Sequence, residues 1–440
     1  MTNIKVRFAP SPTGYMHIGN TRTALFNWLW AKKMGGVFML RIDDTDFARS
    51  KKEYEDSLRE SLKWLGLNWS EEARQSARFA RYKEVTEALI KTGRIYACYE
   101  TPEELEFKRK RALSKGLPPI YDRQALNYTP EDIENFKKEG RKPHYRFKLN
   151  DGEIVWQDAV RGEVKYLASN LSDPIIIRED GSYLYHLPSV IDDADFGITH
   201  ILRGEDHVTN TAAQIQMFEA VGGKVPTFAH LPLLTGKEGK LSKRLGSLGV
   251  RELRQEGVEN MAICSYLAKL GTSEDIRSFY SLEELAETLD FSKIGHAQPK
   301  FDVEDLKRFN LKHIHNMPFE AVKDKVNVSK EFFDAVKPNL NTISDIAFWD
   351  NVCNHEITPV IENKLLTDTA ATLLPEEPFD EGTFGAFMNE VKAKTGLKGK
   401  DLFHPIRLAL TGEASGPELK VLLPLIGRQK ALKRLNGQKA

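Results

Sequence analysis

The sequence predicts an α/β protein in which a parallel sheet is split by an inserted α+β segment and followed by an all-helical C-terminal part. Three observations predict it. Strand-like and helix-like stretches alternate from the start to about residue 65. A charged, irregular stretch, roughly residues 93 to 182, interrupts that alternation, which then resumes. After about residue 250 the sequence reads as helical to its end.

Taken in order, "IKVRFA" is a short strand and "PSPTGYM" a turn with strong breakers. A helix follows with Leu25 and Leu29 on its buried face, ended by Gly35-Gly36. "VFMLRID" is a continuous apolar strand of the kind found inside a parallel sheet. Tyr54, Leu58, Leu62 and Leu65 repeat at helical spacing. Strand, helix, strand, helix implies right-handed parallel crossovers. In the middle, "EELEFKRKRALSK" is a charged helix broken by "LPPIYD". "HYRFKL", "GEVKYLA" and "DPIIIRED" are strand-like, with a turn at Asp180-Gly181. The α/β pattern resumes with the strand "ITHILRGEDH" and a helix around "TNTAAQIQMFEAV". No internal repeat or low-complexity tract is present.

A chain of 440 residues suits two to four domains. Its 63 basic and 63 acidic residues cancel, so any nucleic-acid partner needs local basic patches. Three scattered cysteines, Cys98, Cys264 and Cys353, argue against a disulfide framework and suit a reducing cytosol. "MTNIKVRF" lacks the layout of a signal peptide, and no apolar run is long enough for a bilayer. The expectation is a cytoplasmic protein with no membrane contact.

Two segments carry chemistry. In "PSPTGYMHIGN" a strand–turn–helix junction offers backbone N–H groups at a helix N-terminus, a natural anion site. Gly14 and Gly19 let backbone approach a ligand, and His17 could donate to a phosphate oxygen as charge develops. A lone histidine at a helix start ordinarily has no ligand; the prolines, glycines and context favour one here. The second segment is "GKLSKR", Gly239 to Arg244, whose cations, serine and glycine suit a phosphate clamp. Together they suggest a triphosphate held from two sides.

"HIGN" and "KLSKR" resemble the two signatures of class I aminoacyl-tRNA synthetases, and "RFAPSPTG", "RIDDTD" and "ILRGED" narrow the resemblance to bacterial glutamyl-tRNA synthetases along essentially the whole chain. The resemblance implies a Rossmann-like catalytic domain in two halves, 1–92 and 183–238, split by an acceptor-end-binding insertion at 93–182. A connective helical domain with the KLSKR loop, 239–318, and an anticodon-binding domain, 319–440, would follow. It implies that ATP with Mg²⁺ and L-glutamate form glutamyl adenylate, and that glutamate passes to tRNA(Glu). His17 and Lys243 take the catalytic roles. Pro10, Thr13, Gly14, Gly19, Asn20, Asp206, Leu234, Lys240, Ser242 and Arg244 join them around ATP. Arg7 and Arg203 meet the glutamate γ-carboxylate, Asp43 its ammonium, and Ser11, Tyr185 and Ser189 complete the pocket. Arg41 and Asp44 read equally as ligand contacts or as an internal ion pair at the strand end. On the tRNA side the resemblance points to Lys108 and Arg109 in "KRKR", to Arg407 and Thr411 in "HPIRLALTG", and to Asn339. Where discriminating relatives read the anticodon with arginine, Asn339 leaves tRNA(Gln) open as a second acceptor. A monomer is expected.

The sequence departs from the family in two places. Many relatives carry zinc in the insertion, but here Cys98 stands alone with Glu100 in place of a second cysteine, so no structural zinc is expected. Ser189 replaces asparagine, and Asp43 is one methylene shorter than the usual glutamate. Among rivals, a glutaminyl enzyme would have a β-barrel anticodon domain, and small-molecule nucleotidyltransferases would need no helical tail. The alternative of another class is a non-catalytic tRNA-binding or regulatory protein on a synthetase scaffold.

Overall fold

A computed structural model describes residues 4–236, 248–380 and 382–440. The chain forms two compact units, Met1–Leu253 with Cys264–Asp302, and Arg254–Ile263 with Val303–Ala440.

The first unit is built on a seven-stranded sheet in the order β3-β2-β1-β9-β10-β6-β7. Its strands are β1 (Lys5–Phe8), β2 (Val37–Ile42), β3 (Glu71–Arg74), β6 (Glu153–Asp158), β7 (Gly162–Leu167), β9 (His200–Gly204) and β10 (Thr227–Leu231). All neighbours pair in parallel except β6 and β7, which form a hairpin. Without that hairpin the sheet has the 3-2-1-4-5 order of a doubly wound fold, and chain order reverses between β1 and β9. β2 is buried along nearly its whole length because helices cover both faces.

Helix α1 (Ile18–Lys33) follows β1, with Leu25 and Leu29 fully buried as the apolar spacing predicts. Gly36 returns the chain to the sheet; a Cβ there would lie 2.3 Å from the Ile4 carbonyl oxygen. Helix α2 (Lys52–Leu65) buries Leu58, Leu62 and Leu65 and ends on Gly66 in the left-handed region. α3 (Phe79–Lys91) leads into the inserted segment.

That segment contributes β4 (Ile95–Cys98), β5 (His144–Phe147) and β8 (Ile175–Ile177), a three-stranded antiparallel sheet flanked by α4 (Pro102–Ser114) and α5 (Pro130–Lys138). It is less separate than its composition suggests. The β6–β7 hairpin leaves it and adds to the main sheet beside β10, where the alternation of "EIVWQD" buries every second residue. α6 (His186–Asp195) and α7 (Val208–Ala220) complete the α/β part.

The second unit is all helical among the described residues. It begins earlier than the 319 boundary expected from sequence. Helix Val303–His315 belongs to it, because Asn310 accepts from the Glu259 N–H at 2.9 Å. No helix among the described residues is long and apolar enough to cross a membrane.

The corner around Cys98 and Glu100 is closed by organic cations. The Cys98 thiol is buried, which pushes its pKa up to about 12. Glu100 accepts from the Tyr121 hydroxyl at 2.7 Å, and the Lys108 ammonium lies 3.5 Å from the same oxygen. The Arg146 guanidinium stacks 3.9 Å from the Tyr121 ring centre. Lys108 also donates to Asp122 and Gln124, so it is drawn into this corner rather than held out for a phosphate. Arg109 is exposed. A metal ion here would face two positive groups and one thiol that holds its proton. Elemental analysis of the purified chain is expected to find no stoichiometric zinc; one zinc per chain would refute this account of the corner.

Candidate active site

The strand ends at the β1/β9 reversal open into a cleft of about 490 Å³. One wall is the β1–α1 turn, with Pro10, Ser11, Thr13, His17, Gly19 and Asn20. Arg7 and Arg203 lie toward the strand ends, Tyr185 immediately precedes α6, and Asp206 and Leu234 line the other side. The structure thus gathers eleven of the expected residues on one cleft. Lys240, Ser242, Lys243 and Arg244 lie outside the described residues. The chain returns at Leu248, whose carbonyl accepts from the Ile18 N–H.

His17 caps α1. Its Nδ1 accepts from the N–H groups of Gly19 and Asn20 at 3.1 and 3.3 Å. This changes the expected anion site. The first three N–H groups of the helix are already engaged, by the Leu248 carbonyl and by His17. The capping bond also assigns the tautomer: Nδ1 is the acceptor, so the proton of the neutral ring sits on Nε2. Burial lowers the His17 pKa and favours that neutral form. A cleft-lining histidine with a protonated Nε2 is a fixed donor, backed by the positive end of the helix dipole. Gly19 makes room for the ring, since a Cβ there would lie 3.1 Å from it.

Beneath the cleft floor lies a buried ion cluster. Asp193 takes Arg7 in a fork, Nε to Oδ1 at 3.0 Å and Nη2 to Oδ2 at 3.2 Å. The same Oδ1 accepts from Arg41 Nη1 at 2.7 Å. Arg41 turns its other edge to Asp43, Nε to Oδ1 at 2.6 Å and Nη2 to Oδ2 at 2.9 Å. Both Asp43 oxygens are therefore held by Arg41, and Asp43 is 5% exposed. The expectation that Asp43 meets a substrate ammonium does not match this geometry. Ser189 is likewise 1% exposed and accepts from Arg41 at 3.3 Å, below the cleft rather than on it. Gly14 is exposed and off the cleft wall. Arg41 makes the internal ion pairs and also lines the cleft, while Asp44 pairs with Arg74 and Ser76.

Arg203 differs from its neighbours. It is 5% exposed, yet no carboxylate pairs with it among the described residues. Nη1 donates to the Tyr185 hydroxyl at 3.1 Å, Nη2 to Thr211 Oγ1, and Nε to His230 Nε2 at 3.3 Å. All three partners are neutral. Burial lowers its pKa, as expected for a cation without a counter-ion. Of the buried arginines Arg7, Arg41 and Arg203, the first two are paired with Asp43 and Asp193, and Arg41 also lies 3.8 Å from Asp192, which Arg78 meets at 2.5 Å. Arg203 and Arg22 then face the cleft without a carboxylate, and of the two only Arg22 is closed in by backbone carbonyls.

Sequence reasoning missed Arg22, Thr23 and His207 on the cleft wall, and the supports Asp193 and His230. Paired aspartates in the apolar stretch "LPSVIDDADFG" were the available signal, because buried carboxylates need cationic partners.

This fold and cleft define a class I tRNA synthetase. Residues 3–308 match the family described as tRNA synthetases class I (E and Q), catalytic domain, and residues 281–438 match the anticodon binding domain. The chain is 52% identical to glutamate–tRNA ligase 1 of Maricaulis maris (strain MCS10), over 99% of this chain and 100% of that one. It is 52% identical to the glutamate–tRNA ligase of Azospirillum brasilense, over 100% of both. A solved glutamate tRNA ligase from Elizabethkingia meningosepticum CCUG26117, in complex with its amino acid, superposes with a TM-score of 0.80 at 29% identity. That match covers 99% of this chain and 98% of the other. The chain belongs to the glutamate–tRNA ligase family.

Asp193→Ala strips the anion from two buried arginines and is expected to destabilise the chain by about 3–5 kcal/mol, read by denaturant unfolding. Burial alone would raise the Asp193 carboxyl, but Arg7 and Arg41 outweigh it and hold it below its ordinary value. Its contribution is therefore present at neutral pH and lost as pH falls below about 4. The gap between wild type and variant should narrow over that acid range; a gap independent of pH would refute the assignment.

Proposed function

We propose that the chain joins L-glutamate to tRNA(Glu) through glutamyl adenylate, releasing pyrophosphate and then AMP. Arg203 carries this reading. A buried guanidinium at a cleft floor, with only neutral partners, calls for a ligand that brings its own anion. The glutamate γ-carboxylate is that anion, with Arg7 beside it. Glutamine would set its amide NH₂ against the guanidinium, donor against donor. Sites built this way reject the wrong analogue by roughly 10⁴–10⁵.

In the first step the substrate α-carboxylate attacks the α-phosphorus of ATP in line, and negative charge gathers on the phosphate oxygens. The His17 Nε2–H is fixed to donate there. Pro10, Thr13, Gly19, Asn20 and Leu234 shape the ATP side of the cleft. Mg²⁺ bound with ATP neutralises phosphate charge. Asp206, the one carboxylate on the described cleft wall, suits the sparse protein ligation that Mg²⁺ takes beside phosphates. Lys243 and its neighbours in "GKLSKR" are assigned to the leaving pyrophosphate on sequence alone. No nucleophilic side chain is needed, because glutamate passes from the adenylate directly to the terminal ribose.

We assign acceptor-end binding to the insertion, 93–182, and anticodon binding to 319–440. Asn339 is exposed at the turn Lys337–Asn339, open to a base. Arg407 donates to the Pro417 carbonyl at 2.8 Å and keeps a buried Nη1 without a partner. Thr411 is 2% exposed and bonded to the Arg407 carbonyl at 2.8 Å, so it supports the turn rather than offering a contact. Three buried free thiols are consistent with a cytoplasmic setting, and the chain is taken as a monomer. A non-catalytic tRNA-binding protein would need no unpaired buried cation in a cleft.

The test is charging of separate tRNA(Glu) and tRNA(Gln) transcripts with labelled glutamate. Charging of tRNA(Glu) is expected; binding without charging of either would overturn the reading. Charging of tRNA(Gln) as well would make the enzyme non-discriminating, as Asn339 allows. Arg203→Ala is expected to lose about 2–5 kcal/mol of glutamate binding, roughly 30- to 4,000-fold in kcat/KM for glutamate. Unchanged glutamate kinetics in that variant would rule out its role.

A further inference from the structure

Arg203 is held by a residue that does not line the cleft. His230 on β10 is fully buried and bonds at both ring nitrogens. Nδ1 lies 2.5 Å from Asp158 Oδ2, and Nε2 lies 3.3 Å from Arg203 Nε and 2.9 Å from Thr211 Oγ1. A carboxylate only accepts, so the ring proton sits on Nδ1. Nε2 is then a lone pair aimed at the Arg203 Nε–H. If the ring turned over or gained a second proton, it would present a donor to the guanidinium.

Asp158 is itself fixed. It ends β6, and its Oδ1 accepts from the N–H groups of Val160 and Arg161, each at 3.0 Å, and from the His230 N–H at 3.1 Å. The turn is pinned again by Arg161, whose Nη1 donates to Glu205 at 2.8 Å, two residues beyond Arg203. The His296 ring adds a bond to the Val160 carbonyl at 2.9 Å. All of these turn residues belong to the inserted segment, not to the 3-2-1-4-5 sheet.

We propose that His230 and Asp158 are positioning residues for glutamate recognition: the insertion's hairpin sets the His230 tautomer, and His230 aims Arg203 at the γ-carboxylate. This rests on Arg203 as the γ-carboxylate ligand. The mechanism is that of a histidine oriented by a carboxylate so that its far nitrogen serves one role only. The guanidinium has five N–H groups, and binding a substrate carboxylate needs two of them on one edge. Anchoring Nε and Nη2 to neutral acceptors restricts which edge remains for the ligand without neutralising the charge.

Two substitutions separate the halves of the device. In His230→Asn the amide nitrogen can still donate to Asp158, but nothing reaches Arg203. In His230→Gln the longer side chain can place its carbonyl oxygen where Nε2 was. Charging of tRNA(Glu) is measured at varied glutamate and varied ATP, with the unfolding midpoint of each variant. We expect H230N to raise KM for glutamate about tenfold or more, the scale on which orienting partners act elsewhere, with KM for ATP unchanged. H230Q should recover most of that loss even where its unfolding midpoint is no higher than that of H230N. Equal rises in the two KM values, wild-type glutamate KM in H230N, or no recovery in H230Q would each overturn the proposal. Arg203→Ala run alongside distinguishes the failures. If it loses glutamate while H230N does not, only the positioning role falls; if it keeps wild-type glutamate KM, the underlying reading of Arg203 falls with it.

Discussion

A positive charge kept out of water without a counter-ion is the constraint on which this site turns. Arg203 is not the only buried guanidinium without a carboxylate. Arg22 also lacks one, but the Pro232, Leu267 and Leu270 carbonyls close around it. Arg434 in the second unit is met by the carbonyls of Val352, His355 and Leu410. Carbonyl oxygens are strong, fixed dipoles, and such cages complete the electrostatics of an arginine that staples chain segments together. Hydroxyls and an imidazole nitrogen do so less fully. Arg203 is thus held firmly in place but left electrostatically unfinished, and it faces a cleft.

The contrast with Arg7 sharpens this. Two arginines stand at neighbouring strand ends, and Asp193 neutralises one of them. Were both unpaired, the free site would carry the repulsion of two buried cations and would hold any anion of suitable size. Were both paired, a γ-carboxylate would have to displace a fork already made. One paired and one unpaired cation fits the single negative charge of the γ-carboxylate proposed as the ligand. The parallel sheet supplies the setting, because β1 and β9 end together where the chain order reverses, and the first helix begins at the same level. His17 stands at this junction. Its capping nitrogen fixes the helix, and its other nitrogen is thereby committed to donation.

Much of this was legible in the sequence, for identifiable reasons. The β1–α1 turn announces itself through breakers at fixed offsets, and β2 through an unbroken apolar run. Arg7 and Arg203 were reached through the family resemblance carried by "RFAPSPTG" and "ILRGED". What the sequence hid were contacts between residues far apart in the chain. Nothing local says that Asp43 turns back on Arg41 two residues earlier rather than out to a ligand, or that Asp193 reaches Arg7 across the sheet. β10 and β6 were passed over because "TFAHL" is short and the alternation in "EIVWQD" lies inside a stretch that reads as a separate module. A terminal cap by histidine is also unreadable in advance, since His is not among the usual N-cap residues.

The added hairpin bears most on how such an enzyme is put together. A parallel strand cannot be supplied by a tight turn; it needs a crossover connection. β6 meets β10 in parallel only because the chain has passed through the insertion's own sheet first. The module that interrupts the α/β core is therefore part of that core's edge, and its turn lies against the back of Arg203. A segment assigned to the tRNA acceptor end and a residue assigned to the amino acid are separated by one imidazole ring. Any displacement of the hairpin must move Asp158, and with it the hydrogen-bond acceptor on which the orientation of the unpaired cation depends. On the assignments proposed above, selection of the amino acid and engagement of the acceptor end are linked through three hydrogen-bonded side chains, Asp158, His230 and Arg203.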